Sequence, residues 1–239
     1  MLHHWLTRRL SVIAAFLFFV ACTLGASAAY QAAVAAQAKA YTKNFSFKTD
    51  EGLSIIPLPD NPWRQVLEEE THEEMDMGTI TESWKKITIF LAPTTPGPVT
   101  KLIEISANQS VLDVKDIAPD DFCYAKQRKW AWHKQISAIT ADTFCWGVRS
   151  MHITENLQTE AWQHLVEKME KSGMPLPVDT TATQVRFYRS VRGKFLKIDC
   201  YFFGPKGGKP WNRNKARAWA KDLVSRVTAG FEGKSGGGG

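Results

Sequence analysis

Cysteine is the residue type in this 239-residue chain whose spacing most constrains chemistry. Cys22 ends an apolar run in the tetrapeptide Phe19-Val20-Ala21-Cys22. That sequence resembles a bacterial lipobox with Phe19 where leucine is usual, which makes Cys22 a candidate for lipidation. Cys123 and Cys145 sit in matching aromatic frames, Phe122-Cys123-Tyr124 and Phe144-Cys145-Trp146, as two neighbouring core strands would carry them. We expect them to pair, in a disulfide contributing about 2–4 kcal/mol. Cys200 is then left over as a buried thiol that behaves as a small apolar residue. The alternative is a thiol-dependent or hydrolytic enzyme using Cys200 or Cys145 with His152, although no histidine stands at a recognisable spacing from either.

The other reactive side chains fall short of known patterns. His72-Glu73-Glu74-Met75-Asp76 begins like a zinc-peptidase helix but has Asp76 where the second imidazole is required. His72, Met75 and Met77 would offer soft ligands to copper(I), but in an acidic stretch they read as exposed side chains. Adjacent carboxylates such as Asp120 and Asp121 point to opposite faces of a strand, so turn chemistry is the better reading. Gly204-Pro205-Lys206-Gly207-Gly208-Lys209 lacks the spacing of a phosphate loop, and its proline removes an amide donor. Ser190 and Ser225 lie in no nucleophile-elbow pattern. No catalytic residue, metal or cofactor is therefore expected. Asn44-Phe45-Ser46 and Asn108-Gln109-Ser110 are glycosylation sequons.

Charge carries more information than any motif. The net charge is +6, but its distribution is uneven. Residues 60–82 hold eight acids against Arg64 alone, and residues 183–231 hold twelve bases against Asp199 and Asp222. Such a basic region is either a solvated face or a surface that concentrates an anionic partner. Arg186, Arg189, Arg192, Arg213, Lys215 and Arg217 are the leading candidates for that surface. Lys126, Arg128, Trp130 and Trp132 form a second patch in which cations alternate with aromatic rings, a pattern that also suits single-stranded nucleic acid.

The N-terminus argues against nucleic acid. Arg8 and Arg9 precede an apolar stretch from Leu10 to Leu24, and Ala26-Ser27-Ala28 follows with small residues. That is the layout of a secretory signal. The run of about fifteen residues is short of the roughly 20 that span a bilayer. Cleavage after Ala28 is expected, with an uncleaved anchor or lipid on Cys22 as the other outcomes. Each places the domain in a periplasmic or other extracytoplasmic location, free or membrane-anchored, where disulfides persist. Its partner would then be a protein or an anionic envelope component.

The elements that must position these residues follow from periodicity. Hydrophobic content of 44% with nine tryptophans suits a folded core. Residues 1–28 are the signal or anchor, 29–43 an alanine-rich spacer, 44–232 a single domain and 233–239 a glycine-rich tail. Strands are expected at 44–47, 53–56, 84–91, 99–105, 122–132 and 136–153. Asn61-Pro62-Trp63 reads as a helix start, with Trp63, Val66 and Leu67 on one face. Residues 154–171 and 213–229 read as helices. Gln184–Val191 and Lys194–Phe203 read as a hairpin about Arg192-Gly193. The expected fold is α+β: an antiparallel sheet of about six to eight strands with two or three helices packed on a face. The expected role is that of a non-enzymatic binding or accessory domain of the bacterial envelope.

Overall fold

The strands alternate apolar side chains on both faces, so the sheet they build must be covered twice. A computed structural model describes residues 40–41, 44–49, 52–58, 62–76, 81–95, 99–109, 123, 130, 132–139, 142–191, 193–204 and 212–231. The leader with Cys22, the glycine-rich tail and the expected 122–132 strand (Cys123, Trp130 and Trp132 apart) lie outside these residues. So do Asp120, Asp121, Lys126, Arg128 and Arg192. Ala40–Gly239 forms one unit.

The strands among the described residues are β1 (Ala40–Tyr41), β2 (Asn44–Thr49), β3 (Gly52–Pro57), β4 (Trp63–Asp76), β5 (Thr81–Pro93), β6 (Lys101–Asn108), β7 (Trp132–Ile139), β8 (Asp142–His152), β9 (Thr181–Val191) and β10 (Lys194–Phe203). Eight of them form one sheet in the order β1-β4-β5-β6-β10-β9-β8-β7. Every described pairing is antiparallel. Six strands, β4 to β8 in that order, make its body, and β2 and β3 form a separate hairpin. Two helices, α1 (Glu160–Lys171) and α2 (Arg213–Phe231), complete an α+β fold that is mostly sheet.

Period-2 alternation sends Leu196, Ile198, Cys200 and Phe202 of β10 to one face, and the same face takes Ile87, Ile89 and Leu91 of β5. Ala216, Ala220, Leu223 and Val227 of α2 pack there, joined by Phe45 and Leu58. The opposite face takes Phe90, Leu102, Tyr201 and Phe203, and α1 covers it with Trp162, Leu165 and Met169. Helices therefore lie on both sides of the sheet. The expectation of helices on one face fails because β5 and β10 carry apolar side chains on both, and apolar surface left in water costs about 25 cal/mol per Å².

A second expectation also fails. The stretch from Trp63 is a 14-residue strand, not a helix. A register shift between Gln65 and Leu67 explains the misreading. The extra residue of a bulge lets Val66 and Leu67 both pack against the α1-side cluster. Trp63 packs on the opposite, α2 side, so the helical spacing of Trp63, Val66 and Leu67 does not put the three on one face. Glu68, Glu70 and Glu74 are exposed along this strand, and charge on an outer strand discourages pairing with another chain.

Local signals set the ends of the other elements. Gly193 adopts φ 79°, which the tight β9–β10 turn requires and a Cβ would oppose. Asn108 clasps this turn from β6. Its Nδ2 donates to Gly193 O at 2.7 Å, and its Oδ1 accepts from Phe195 N at 2.8 Å. That burial removes Asn108 as a glycosylation acceptor. α1 ends at Gly173, φ 69°, where Met174 N donates to Met169 O at 3.0 Å, closing a Schellman motif.

Candidate functional site

The predicted basic surface divides when the ladder is laid out. Arg186 and Arg189, three apart on β9, point to opposite faces. Arg189 is buried on the α2 side with its guanidinium 5.6 Å from the Phe144 ring centroid. Arg186 is on the α1 side and makes a bidentate pair with Asp199, Nε to Oδ1 and Nη2 to Oδ2, both at 2.8 Å. Only the α2 portion faces solvent as a group. Arg213, Lys215, Arg217, Lys221 and Arg226 are exposed on one helix, whose first turn contains no acid. Cations in a first turn oppose the helix macrodipole. Arg213 Nε donates to Ser150 Oγ at 3.4 Å, and Arg226 pairs with Asp222 at 2.9 Å.

The α1 face holds something the sequence reading missed. Between the apolar cluster under α1 and a second one formed by Cys123, Trp130, Cys145, Tyr188 and Phe195, polar side chains cross the sheet. Register sets Gly147, Arg186, Asp199 and Glu104 side by side on β8, β9, β10 and β6. Arg149 and Gln184 lie one row nearer to α1. Asp199 is 0% exposed and Glu104 9%. Buried carboxylates need partners, and these have them. Gln184 Nε2 donates to Asp199 Oδ1 at 2.9 Å while its Oε1 accepts from Arg149 Nε at 2.5 Å. Glu104 Oε2 accepts from Trp162 Nε1 at 3.1 Å and from Tyr201 Oη at 2.8 Å. Burial, and then the charges of Asp199 and Glu104, push the Tyr201 phenol well above its ordinary pKa, so it stays a hydrogen-bond donor.

Trp130 joins the row from the other patch proposed on sequence grounds. Its ring lies 5.1 Å from the Arg149 guanidinium and 6.0 Å from that of Arg186, within reach of cation–π attraction. Gly147, opposite Arg186 in the register, has no side chain. A disulfide joins Cys123 to Cys145 with Cα atoms 5.6 Å apart. It fixes residue 123 over β8, seven positions before Trp130. The pairing agrees with the expectation from flanking aromatics, and a disulfide fits an oxidising, extracytoplasmic setting.

Neither cysteine named for a thiol enzyme is an exposed free thiol. Cys145 is bonded to Cys123, and Cys200 is buried in the α2-side core. Burial pushes the Cys200 thiol well above its usual pKa, and the Asp199 charge adds to this. His152 is exposed, with Nδ1 3.5 Å from Thr181 Oγ1, and His164 meets Glu69 at 2.6 Å across α1 and β4. Among the described residues no cluster of three histidine, cysteine or carboxylate side chains could hold a metal. None of the described helices is long and apolar enough to cross a membrane. Searches among known proteins return nothing similar: no family model, curated protein or solved structure matches the chain.

Proposed function

We propose that this protein is a non-enzymatic binding domain of the bacterial envelope, exported or membrane-tethered, and that the outer face of α2 holds an anionic envelope component. The observation that carries this reading is the run of exposed cations from Arg213 to Arg226, placed where the macrodipole disfavours the first two of them. A helix start selected for stability alone would carry Asp or Glu there. The disulfide supports an extracytoplasmic setting, in which lipid headgroups and anionic glycans are the available polyanions.

Binding driven by exposed charge weakens as the Debye length shrinks. The full-length protein is therefore expected to bind phosphatidylglycerol vesicles or heparin at low salt. Charge reversal at Arg213 and Arg217 together should weaken that binding at least tenfold. Raising the salt should weaken it comparably. Retention that ignores both salt and charge reversal would refute the proposal, as would an absence of binding to either probe.

A further inference from the structure

Beyond its first two residues, Trp63 and Arg64, which meet β1, strand β4 is the outer edge of the sheet. Two hydrogen bonds of β5 show which way the β4 backbone points. Gln109 N donates to Lys85 O at 3.0 Å, and Thr94 N donates to Pro62 O at 3.1 Å. Backbone groups of successive strand residues turn to opposite neighbours, so the even-numbered residues of β5 turn to β4. In register, Lys86 and Thr88 meet Thr71 and Glu69. The N–H and C=O groups of Glu68, Glu70, His72 and Glu74 therefore point away from β5, and among the described residues no strand receives them. Glu70, Thr71 and His72 are all exposed although their side chains alternate between faces, so the edge is open there on both. It is also of one charge. Residues 68–76 hold six acids and no lysine, arginine or proline. Glu69 and Glu73 on the α1 side are engaged by His164 at 2.6 Å and Lys86 at 2.9 Å. Glu68, Glu70 and Glu74 lie exposed on the other side. Gln65 Nε2 donates to Glu68, and Glu70 has Gln109 Nε2 at 3.2 Å and Lys85 Nζ at 3.9 Å.

We propose that the outer edge of β4 receives an extended cationic segment of a partner protein, which joins the sheet as a further strand. Strand addition draws affinity from main-chain hydrogen bonds and specificity from alternate side chains. Residues of an added strand directly opposite Glu68, Glu70 and Glu74 share a face with those carboxylates. Cations at every second position therefore match the edge. Sheet edges are guarded by proline, by shortness or by charge. β4 is 14 residues long and has no proline over residues 68–76, so charge is its guard there. A guard of one sign is selective. It repels an acidic strand, desolvates without compensation under an apolar one, and attracts a cationic one. A second copy joined β4 to β4 would set carboxylates against carboxylates, which destabilises a strand pair. This edge carries the opposite charge to α2 and shares none of the observations behind the surface proposed there.

Fluorescence anisotropy of a labelled nine-residue peptide alternating lysine with threonine, titrated with the full-length protein, tests the assignment. The peptide should bind saturably. Its lysine amides should point at β4 and its threonine amides away from it. N-methylation of the central lysines removes the donors to β4 and should weaken binding about tenfold. N-methylation of the threonines leaves the charge and those donors in place, and should change binding by about twofold at most. Glu68→Lys with Glu74→Lys keeps the ion pairs of Glu69, Glu70 and Glu73, and should weaken the unmethylated peptide about tenfold. No saturable binding, an equal effect of the two methylation patterns, or undiminished binding to the double variant would each overturn the proposal. A dimer of the protein alone that the peptide dissociates would also overturn it, by giving the edge to a second copy.

Discussion

The two faces of the sheet solve the same burial problem with different chemistry. On the α2 side, apolar residues from β5, β6, β8, β9 and β10 form one continuous cluster under α2 and the β2–β3 hairpin. On the α1 side the apolar surface is split in two by the row that includes Arg186, Asp199 and Glu104. Removing two charges from water costs several kcal/mol per ion before any interaction is regained. The α2 face reads as the part that stabilises the domain, and the polar row of the α1 face as the part kept for something else.

Truncation on each face separates these roles. Asp199→Ala leaves Arg186 buried without its bidentate partner, and a loss of about 3–5 kcal/mol is expected in denaturant unfolding. Leu223→Ala on the α2 side opens a cavity and should cost about 2–5 kcal/mol. The sizes overlap, but the causes differ. The Asp199 loss comes from an uncompensated charge and should shrink when Arg186 is replaced as well. The Leu223 loss comes from missing volume and should not.

Alkaline pH gives a smaller, graded test. Cys200 on one face and Tyr201 on the other both have pKa values raised by burial. Groups of this kind hold their protons in the folded state while the unfolded chain releases them. Their contribution is complete below the unfolded pKa values, about 8.5 for cysteine and 10 for tyrosine, and is lost as pH rises towards the folded ones. Unfolding free energy should therefore fall from about pH 9 upward, by about 1.4 kcal/mol per group per pH unit. In Cys200→Ala the decline should begin nearer pH 10. A flat profile between pH 8 and 11 would show that neither group is protected by the fold.

Much of this fold was legible because it rests on local periodicity. The β9–β10 hairpin, its Gly193 turn, both helices and the Cys123–Cys145 pair follow from spacing and turn residues. The β4 strand was not legible, since Trp63, Val66 and Leu67 stand at helical spacing in the sequence although Trp63 packs on one face of the sheet and the bulged pair Val66 and Leu67 on the other. The site was legible only in fragments. Trp130 and Arg186 stand out as residues of two separate basic patches, and long-range register brings them together. Arg149, Gln184, Asp199 and Glu104 carry no signal of their own, because isolated polar residues in a strand read as its solvent face. The available signal was that β10 alternates Phe195, Lys197, Asp199 and Tyr201 on one side. A charged pair between two large aromatics on one face marks polar groups placed inside a core.

The division between the faces is tested most directly by replacing both members of the buried ion pair, as Arg186→Met with Asp199→Leu, and measuring the free energy of unfolding in urea. If the row is not there for stability, the double variant should match or exceed the wild type, because well-packed apolar replacements of buried ion pairs are often neutral or stabilising. A loss in the double variant as large as that of Asp199→Ala alone would contradict the account and make the polar row a structural part of the fold.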